Sequence, residues 1–176
     1  MQTEIKTLKS FLNKLRSENP AVCWEAAKQL TLIDRTLRKG RAVTRALRTG
    51  SHPHTRAAAA YVLGWWRERQ AVPTLERIVD DTQEDALVRE YAAEALSHNR
   101  RPQSIRLLLR HVNSTQPGVS YACIYALGQS KSKRALTVLS SLAKRENDVV
   151  YEGHSLRREA REAARNIRRR LKRRPR

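Results

Sequence analysis

The side chains of this 176-residue sequence that could do covalent or metal chemistry are five histidines, two cysteines and scattered hydroxyls, and their spacing argues against most such chemistry. His52, His54, His98, His111 and His154 form no H-E-x-x-H pair, the arrangement that sets two imidazoles on zinc with a general base beside them. His52-Pro53-His54 reads as the decoration of a turn. Cys23 and Cys123 stand a hundred residues apart, so neither belongs to a metal-binding or redox pair. Free, buried thiols in a reducing cytoplasm are the expectation. No Gly-rich phosphate loop occurs, and no Ser, Thr or Cys has a recognisable base partner, although triads assemble in space and not in sequence. The chain is therefore expected to bind and not to catalyse, with no catalytic residues, no metal and no cofactor.

What it binds is suggested by charge. Thirty-six Lys and Arg against 17 Asp and Glu give +19, a field that attracts nucleic acid, anionic membrane or acidic protein. Residues 157–176 hold eleven of the basic residues and two Glu. Six more lie between Arg35 and Arg48 with no acid among them: Arg35, Arg38, Lys39, Arg41, Arg45 and Arg48. The N-terminus is too polar for a signal peptide and no apolar run approaches membrane-spanning length, so a soluble, cytoplasmic protein is expected.

The elements that position these residues are legible from an internal repeat. Leu30, Leu63, Leu96, Leu127 and Ile167 recur at spacings of 33, 33, 31 and 40 residues. Three and four residues before each anchor stand small or apolar pairs: Ala26-Ala27, Ala59-Ala60, Ala92-Ala93, Cys123-Ile124 and Ala163-Ala164. Eight before it stand Val22, Thr55, Val88, Val119 and, as the exception, Glu159. These offsets share one face of an α-helix. Pro20, Pro53 and Pro117 each lie ten residues before an anchor, where a turn hands over to a helix. Shorter amphipathic segments, Ile5–Leu15, Ala42–Leu47, Val72–Val79, Ile105–Val112 and Leu136–Ala143, precede each anchored helix. Few Gly and Pro, a single Phe and no convincing period-2 alternation leave no place for strands. The prediction is ten helices in five pairs, in units of about 1–34, 35–66, 67–98, 99–130 and 131–174, forming one domain.

The run A-V-P-T-L-E-R-I-V from Ala71, then Asp80-Asp81, then L-V-R-E-Y-A-A-E-A-L from Leu87, resembles a HEAT repeat. More narrowly, it resembles the short HEAT-like repeat of phycobilisome lyase subunits. In such repeats a Pro opens the first helix, an Asp lies in the turn, and V-R opens the second. Pro73, Asp80 or Asp81, and Val88-Arg89 match; so does Thr55-Arg56 before A-A-A-A-Y-V-L-G. The remaining units carry Cys23, Ser120 and Ala160 where the Arg would stand. The resemblance implies an all-α, right-handed α-solenoid of about five HEAT-like helix pairs, with the second helices lining the concave surface. The repeated His-Glu pairs of HEAT-type di-iron hydroxylases are absent.

Given that concave surface, helical geometry at 100° per residue points offsets −6, −5, −2 and +2 into the groove. They carry Trp24, Tyr61, Trp65, Tyr91, Tyr121 and Tyr125, with Lys28, Arg161 and Arg165 at the ends and Glu90 and Glu94 interrupting the middle. Tyr and Trp combine large area with a polar edge and concentrate at binding hot spots. The last helix, with its stripe of Ala160, Ala163, Ala164, Ile167 and Leu171, is expected to cap the solenoid and to offer a basic outer surface. Arg38, Arg41, Arg45, Arg168, Arg169, Arg170 and Lys172 are the candidate anion contacts. The leading expectation is a scaffold holding an anionic partner, nucleic acid first, because basic ends frame an aromatic groove. The alternative is a protein–protein adaptor or assembly factor that takes a peptide, helix or acidic protein. Behind both stand a HEAT-type DNA glycosylase, for which no Asp falls at a groove-facing offset, and a chromophore-lyase subunit.

Overall fold

The computed structural model describes residues 2–33, 39–98 and 101–172. Among the described residues ten α-helices alternate in two layers. The outer layer is α1 (Gln2–Lys14), α3 (Gly40–Thr49), α5 (Val72–Asp80), α7 (Pro102–His111) and α9 (Lys133–Leu142). The inner layer is α2 (Pro20–Thr31), α4 (Pro53–Trp66), α6 (Ala86–Ala95), α8 (Pro117–Gly128) and α10 (Leu156–Lys172). This is an all-α HEAT-type solenoid.

The repeat anchors explain the packing. Leu30, Leu63, Leu96, Leu127 and Ile167 are all buried, and the small pairs before them are buried with them. Inner helices pack on one another more extensively than outer helices do, which is what curvature requires of the inner side of a bent double layer. Glycine sets the limit of approach. A Cβ at Gly64 would come within 2.8 Å of the Ala95 Cα, and one at Gly128 within 2.8 Å of the Ala163 side chain. The helices are started by proline at the first turn of α2, α4, α7 and α8 and by side-chain caps from Asn19, Asp85 and Ser132.

One position does the same task in successive units. Seven residues before each anchor, a side chain reaches the carbonyl that ends the preceding outer helix. Arg89 donates to the Val79 carbonyl at 3.0 and 3.3 Å and to Gln116 at 2.6 Å. Arg56 donates to the Gly50 carbonyl at 3.0 Å and to Glu84 at 2.7 Å. Ser120 donates to Val112 at 2.6 Å, and Cys23 lies 3.1 Å from the Leu15 carbonyl. Orphan helix-end carbonyls are thus satisfied inside the array, and the two arginines also tie each unit to the turn of the next. Ala160 has no such group, and there Arg161 takes over, 3.5 Å from the Ala143 carbonyl.

Two expectations need correction. Where no strand was expected, residues 145–155 contain a β-hairpin, β1 (Val150–Tyr151) paired antiparallel with β2 (His154–Ser155). Glu152 and Gly153 both take positive φ, 47° and 79°, the requirement of a two-residue type I′ turn. Strands of two residues are too short for alternation to register. Leu171, placed in the buried stripe of the last helix, is 37% exposed, whereas Ala160, Ala163, Ala164 and Ile167 are buried as expected. The stripe ends one turn sooner because α10 outruns the helices it packs on.

Candidate functional site

The inner helices bring the sequence-predicted aromatic residues together in two clusters. Trp24 of α2, Tyr61 and Trp65 of α4, and Tyr91 of α6 form the first. Trp24 stands 4.8 Å from Tyr91 and 6.0 Å from Tyr61, centroid to centroid, and Tyr61 stands 6.2 Å from Tyr91 and 6.1 Å from Trp65. Edge-on and tilted contacts of this kind suit ring quadrupoles. Trp24, Tyr61 and Tyr91 are half-buried, and Trp65 is 59% exposed at the rim. The remaining tryptophan, Trp66, is core: its indole N–H donates to the Leu30 carbonyl at 2.9 Å.

The second cluster surrounds α8. Tyr121 lies 6.2 Å from Tyr151 and 5.4 Å from the His154 ring, both on the hairpin. Tyr151 is a groove residue that the helical offsets miss, since it belongs to none of the repeated helices. Its hydroxyl donates to Glu90 Oε2 at 2.7 Å. The contact passes directly over Gly118, where a Cβ would collide with the Glu90 carboxylate and the Tyr151 ring. The hairpin is thereby pinned to the inner layer, and all five tyrosines of the chain gather on this side of it.

Between the rings stand carboxylates. Glu90 and Glu94 lie one turn apart on α6, and Glu159 lies on the first turn of α10. Burial pushes the carboxyl of each above the usual range. For Glu90 the Tyr151 hydrogen bond opposes the shift, and Glu152 and Glu94 add to it; for Glu159 the neighbouring Glu162 adds to it. The tyrosines record the same field. Tyr91 is raised to about 12 by burial and then by Glu90 and Glu94. Burial and then Glu159 and Glu94 raise Tyr121, and burial and then Glu94 and Glu159 raise Tyr125.

The predicted basic residues form no ion pair with the groove carboxylates among the described residues, although Arg170 lies close enough for its charge to act on Tyr125. Arg161 turns to the Ala143 carbonyl, away from the rings, because Ala160 leaves that carbonyl without its usual donor. Arg168 bonds Ser140 at 3.1 Å, Arg169 bonds Asn166 and Arg170 bonds Gln129. Arg165 is exposed and borders a shallow depression of α10 with Glu162, Arg168 and Arg169. Lys172 is exposed near the end of α10, Lys28 is exposed on α2, and Arg41 and Arg45 are exposed on α3. Arg38 lies outside the described residues. A depression of about 1300 Å³ opens on the outer layer among α3, α5 and α7. Its walls mix arginines, Arg48, Arg77, Arg106, Arg110 and Arg134, with the acids Glu76, Asp80, Asp81 and Glu84 and carry no aromatic ring, so it offers no stacking surface. Cys23 and Cys123 are free and buried, with Cys123 pushed up to about 12 by burial, far from a reactive thiolate.

Comparison with known proteins bears on fold and on chemistry. The family model for HEAT repeats matches residues 8–96 and again 82–165. The chain belongs to the HEAT repeat family. Among solved structures, the complex of CpcE and CpcF of phycocyanin lyase from Nostoc sp. PCC7120 superposes with a TM-score of 0.68 at 17% identity, covering 90% of this chain and 98% of that one. Two curated relatives are named deoxyhypusine hydroxylase. The one from Danio rerio is 34% identical over 68 residues, 39% of this chain and 22% of the relative. The one from Mus musculus is 38% identical over 72 residues, 40% of this chain and 23% of the relative. This HEAT chain thus spans less than a quarter of the curated relatives it matches.

These relatives bear on the expectation that the chain takes no part in catalysis. They are named as an enzyme, and the structural neighbour is a lyase complex, so that expectation is not upheld. Among the described residues no three His, Cys, Asp or Glu side chains gather as metal ligands. No described helix is long and apolar enough to cross a membrane.

Proposed function

We propose that this HEAT protein holds a polypeptide segment of a protein partner in its inner groove and serves an enzyme that modifies that partner. One observation carries the reading: the ring-lined groove holds Glu90, Glu94 and Glu159, and none of them forms an ion pair with a described arginine. Rings of this size supply contact area at low entropic cost, as in helix- or strand-binding grooves. A nucleic acid laid along the same rings would bring phosphates against carboxylates. Like charges 4 Å apart near a protein surface cost about 4 kcal/mol, more than the ~1–3 kcal/mol that stacking one base returns. The enzymatic frame is drawn from the names of the relatives, and the two-subunit complex of the structural neighbour suits a chain that works beside another.

A second reading concerns the outer surface. Arg41, Arg45 and Arg48 are exposed on α3 and make no ion pair with a described residue, and α10 adds Arg165, Arg169 and Lys172. A polyanion, nucleic acid or acidic protein, fits here and not in the groove.

The two readings separate in one binding experiment. An array of extended peptides of varied charge, and single-stranded oligonucleotides, are offered to the wild type and to Trp24→Ala and Tyr91→Ala. Peptide binding that the two substitutions remove, with oligonucleotide binding unchanged, supports the groove reading. Oligonucleotide binding that needs Trp24 and Tyr91 overturns it.

A further inference from the structure

A chain with 36 basic and 17 acidic residues has ample means to neutralise its own carboxylates. It does so on the outer layer and at the edges of the array, where Asp80 pairs with Arg110 and His111, Glu84 with Arg56, and Asp148 with Arg157. In the groove it does not. Glu94 is half-buried among Tyr91, Tyr121 and Tyr125 and has neither an ion pair nor a hydrogen bond with a described residue. Among the described residues Glu90 receives only the Tyr151 hydroxyl. Glu159 faces Glu162, which adds to its shift, with His154 opposing it. The α10 arginines within reach of neighbouring helices donate to Ala143, Ser140 and Gln129, all neutral acceptors, and Arg170, whose charge also acts on Tyr125, forms no ion pair with a groove carboxylate among the described residues. A carboxylate taken out of water without an ion-pair partner is unfavourable, and three such carboxylates facing one ring-lined groove mark it as a surface completed by something of opposite charge.

Resting on the reading above, we infer that the groove's occupant is a cationic polypeptide segment, whose Arg or Lys side chains meet Glu94, Glu90 and Glu159 while their aliphatic stems lie on the Trp24–Tyr61–Tyr91 cluster. The chemistry is complementary at both ends of each such side chain. The charged head gains a carboxylate and a ring face, which attracts cations through its quadrupole, and the methylene stem covers apolar ring surface. The net +19 does not forbid it. The exposed arginines of α3 lie across the thickness of a helix from the groove, about 10 Å or more, and at physiological ionic strength charges farther apart than ~8 Å are largely screened. Long-range repulsion slows the encounter and leaves the docked contact intact.

The test uses the full chain and three labelled peptides of one extended sequence with aromatic content held constant, carrying Arg, Gln or Glu at alternate positions, read by fluorescence anisotropy at physiological ionic strength. The Arg peptide is expected to bind roughly tenfold or more tightly than the Gln peptide, with the Glu peptide weakest. The double variant Glu94→Gln/Glu159→Gln should lose that order. It keeps side-chain volume and removes buried charge, so its circular dichroism and its retention on heparin, set by the outer surface, should match the wild type. If the Gln peptide binds as well as the Arg peptide and both need Tyr91, the groove still takes polypeptide and the charge inference is overturned. If the double variant keeps the preference for Arg, it is overturned as well. If no peptide binds while an oligonucleotide binds and needs Trp24 and Tyr91, the inference and the reading beneath it fall together.

Discussion

The inner and outer layers of this solenoid are built from the same repeat, yet they treat charge in opposite ways. Outer helices α3, α5 and α7 present Arg41, Arg45, Arg77, Arg106 and Arg110 to solvent, and the exposed Asp80 is paired with Arg110 at 3.0 Å and His111 at 2.9 Å, while the buried Glu76 accepts from the Ser104 hydroxyl. Inner helices present rings and leave Glu90, Glu94 and Glu159 to bear their burial unpaired by any described base. Helix geometry accounts for how one fold can do both. Each outer helix turns one flank to water and is free to vary there. Each inner helix touches two inner neighbours and must place small residues toward them, so that only offsets −6, −5, −2 and +2 remain for display. Net charge therefore describes the outer layer and says little about the groove.

The largest effect is expected at the ties that keep the two layers back to back. Arg89 is 3% exposed and joins Val79, Gln116 and His111. Arg89→Ala leaves the Val79 carbonyl and the Gln116 amide short of a donor, and losing hydrogen bonds from a charged group costs about 1.5–3 kcal/mol. Chemical denaturation should show that loss, and both groove and outer-surface binding should weaken together near the midpoint. Ser120→Ala, where one neutral bond to Val112 is at stake, should cost about 1 kcal/mol. Equal costs would mean that the arginine ties add nothing beyond capping. Next comes the groove itself. Tyr91→Ala should cost about 2 kcal/mol of affinity for a groove peptide, close to thirtyfold in Kd, and leave heparin retention unchanged. A parallel drop in heparin binding would erase the distinction between the layers. Arg41, Arg45 and Arg48 changed together to Gln should do the reverse. Peptide affinity stays, while the slope of log K against log salt for a single-stranded oligonucleotide flattens by about 0.7 for each phosphate no longer neutralised.

Fold was legible in the sequence to the level of individual helices because the repeat states its packing rule five times. Anchors, small pairs and opening prolines all answer to burial, and burial is periodic. The aromatic groove was legible for the same reason, once the inner layer was assigned. What escaped was whatever lies outside the repeat. The hairpin at Val150–Ser155 is signalled only by Gly153 in a two-residue turn, and Tyr151, which it swings over Glu90, has no offset to be read from. One member of the expected basic frame, Arg161, departs for a different reason. Offsets give the direction of a Cα–Cβ bond, and an arginine has four further torsions with which to turn back. Arg161 uses them to reach Ala143. Short, stiff rings stayed where the helical wheel put them.

The smallest effect expected is also the one that reads the groove's charge without a ligand. Burial raises the folded-state Glu94 carboxyl above its unfolded value of 4.5. Across the window between those two values the folded chain binds the proton more readily than the unfolded chain, so stability contributed by Glu94 grows as pH falls through the raised value and levels off below 4.5. Above the window the ionised carboxylate is a standing penalty. His98 runs the other way, since burial and then Arg67 depress it, and its contribution is lost on acidification. Whole-protein melts therefore mix the two signs, and the informative quantity is the difference between wild type and Glu94→Gln. The variant should melt higher at pH 7.5, with the gap closing as pH approaches 4.5. A gap that does not move with pH would mean that Glu94 bears no burial penalty and that the groove is not charged in the way its outer face is neutralised. Adding the Arg peptide at pH 7.5 should reverse the gap, because only the wild type then has a carboxylate for the cation to complete.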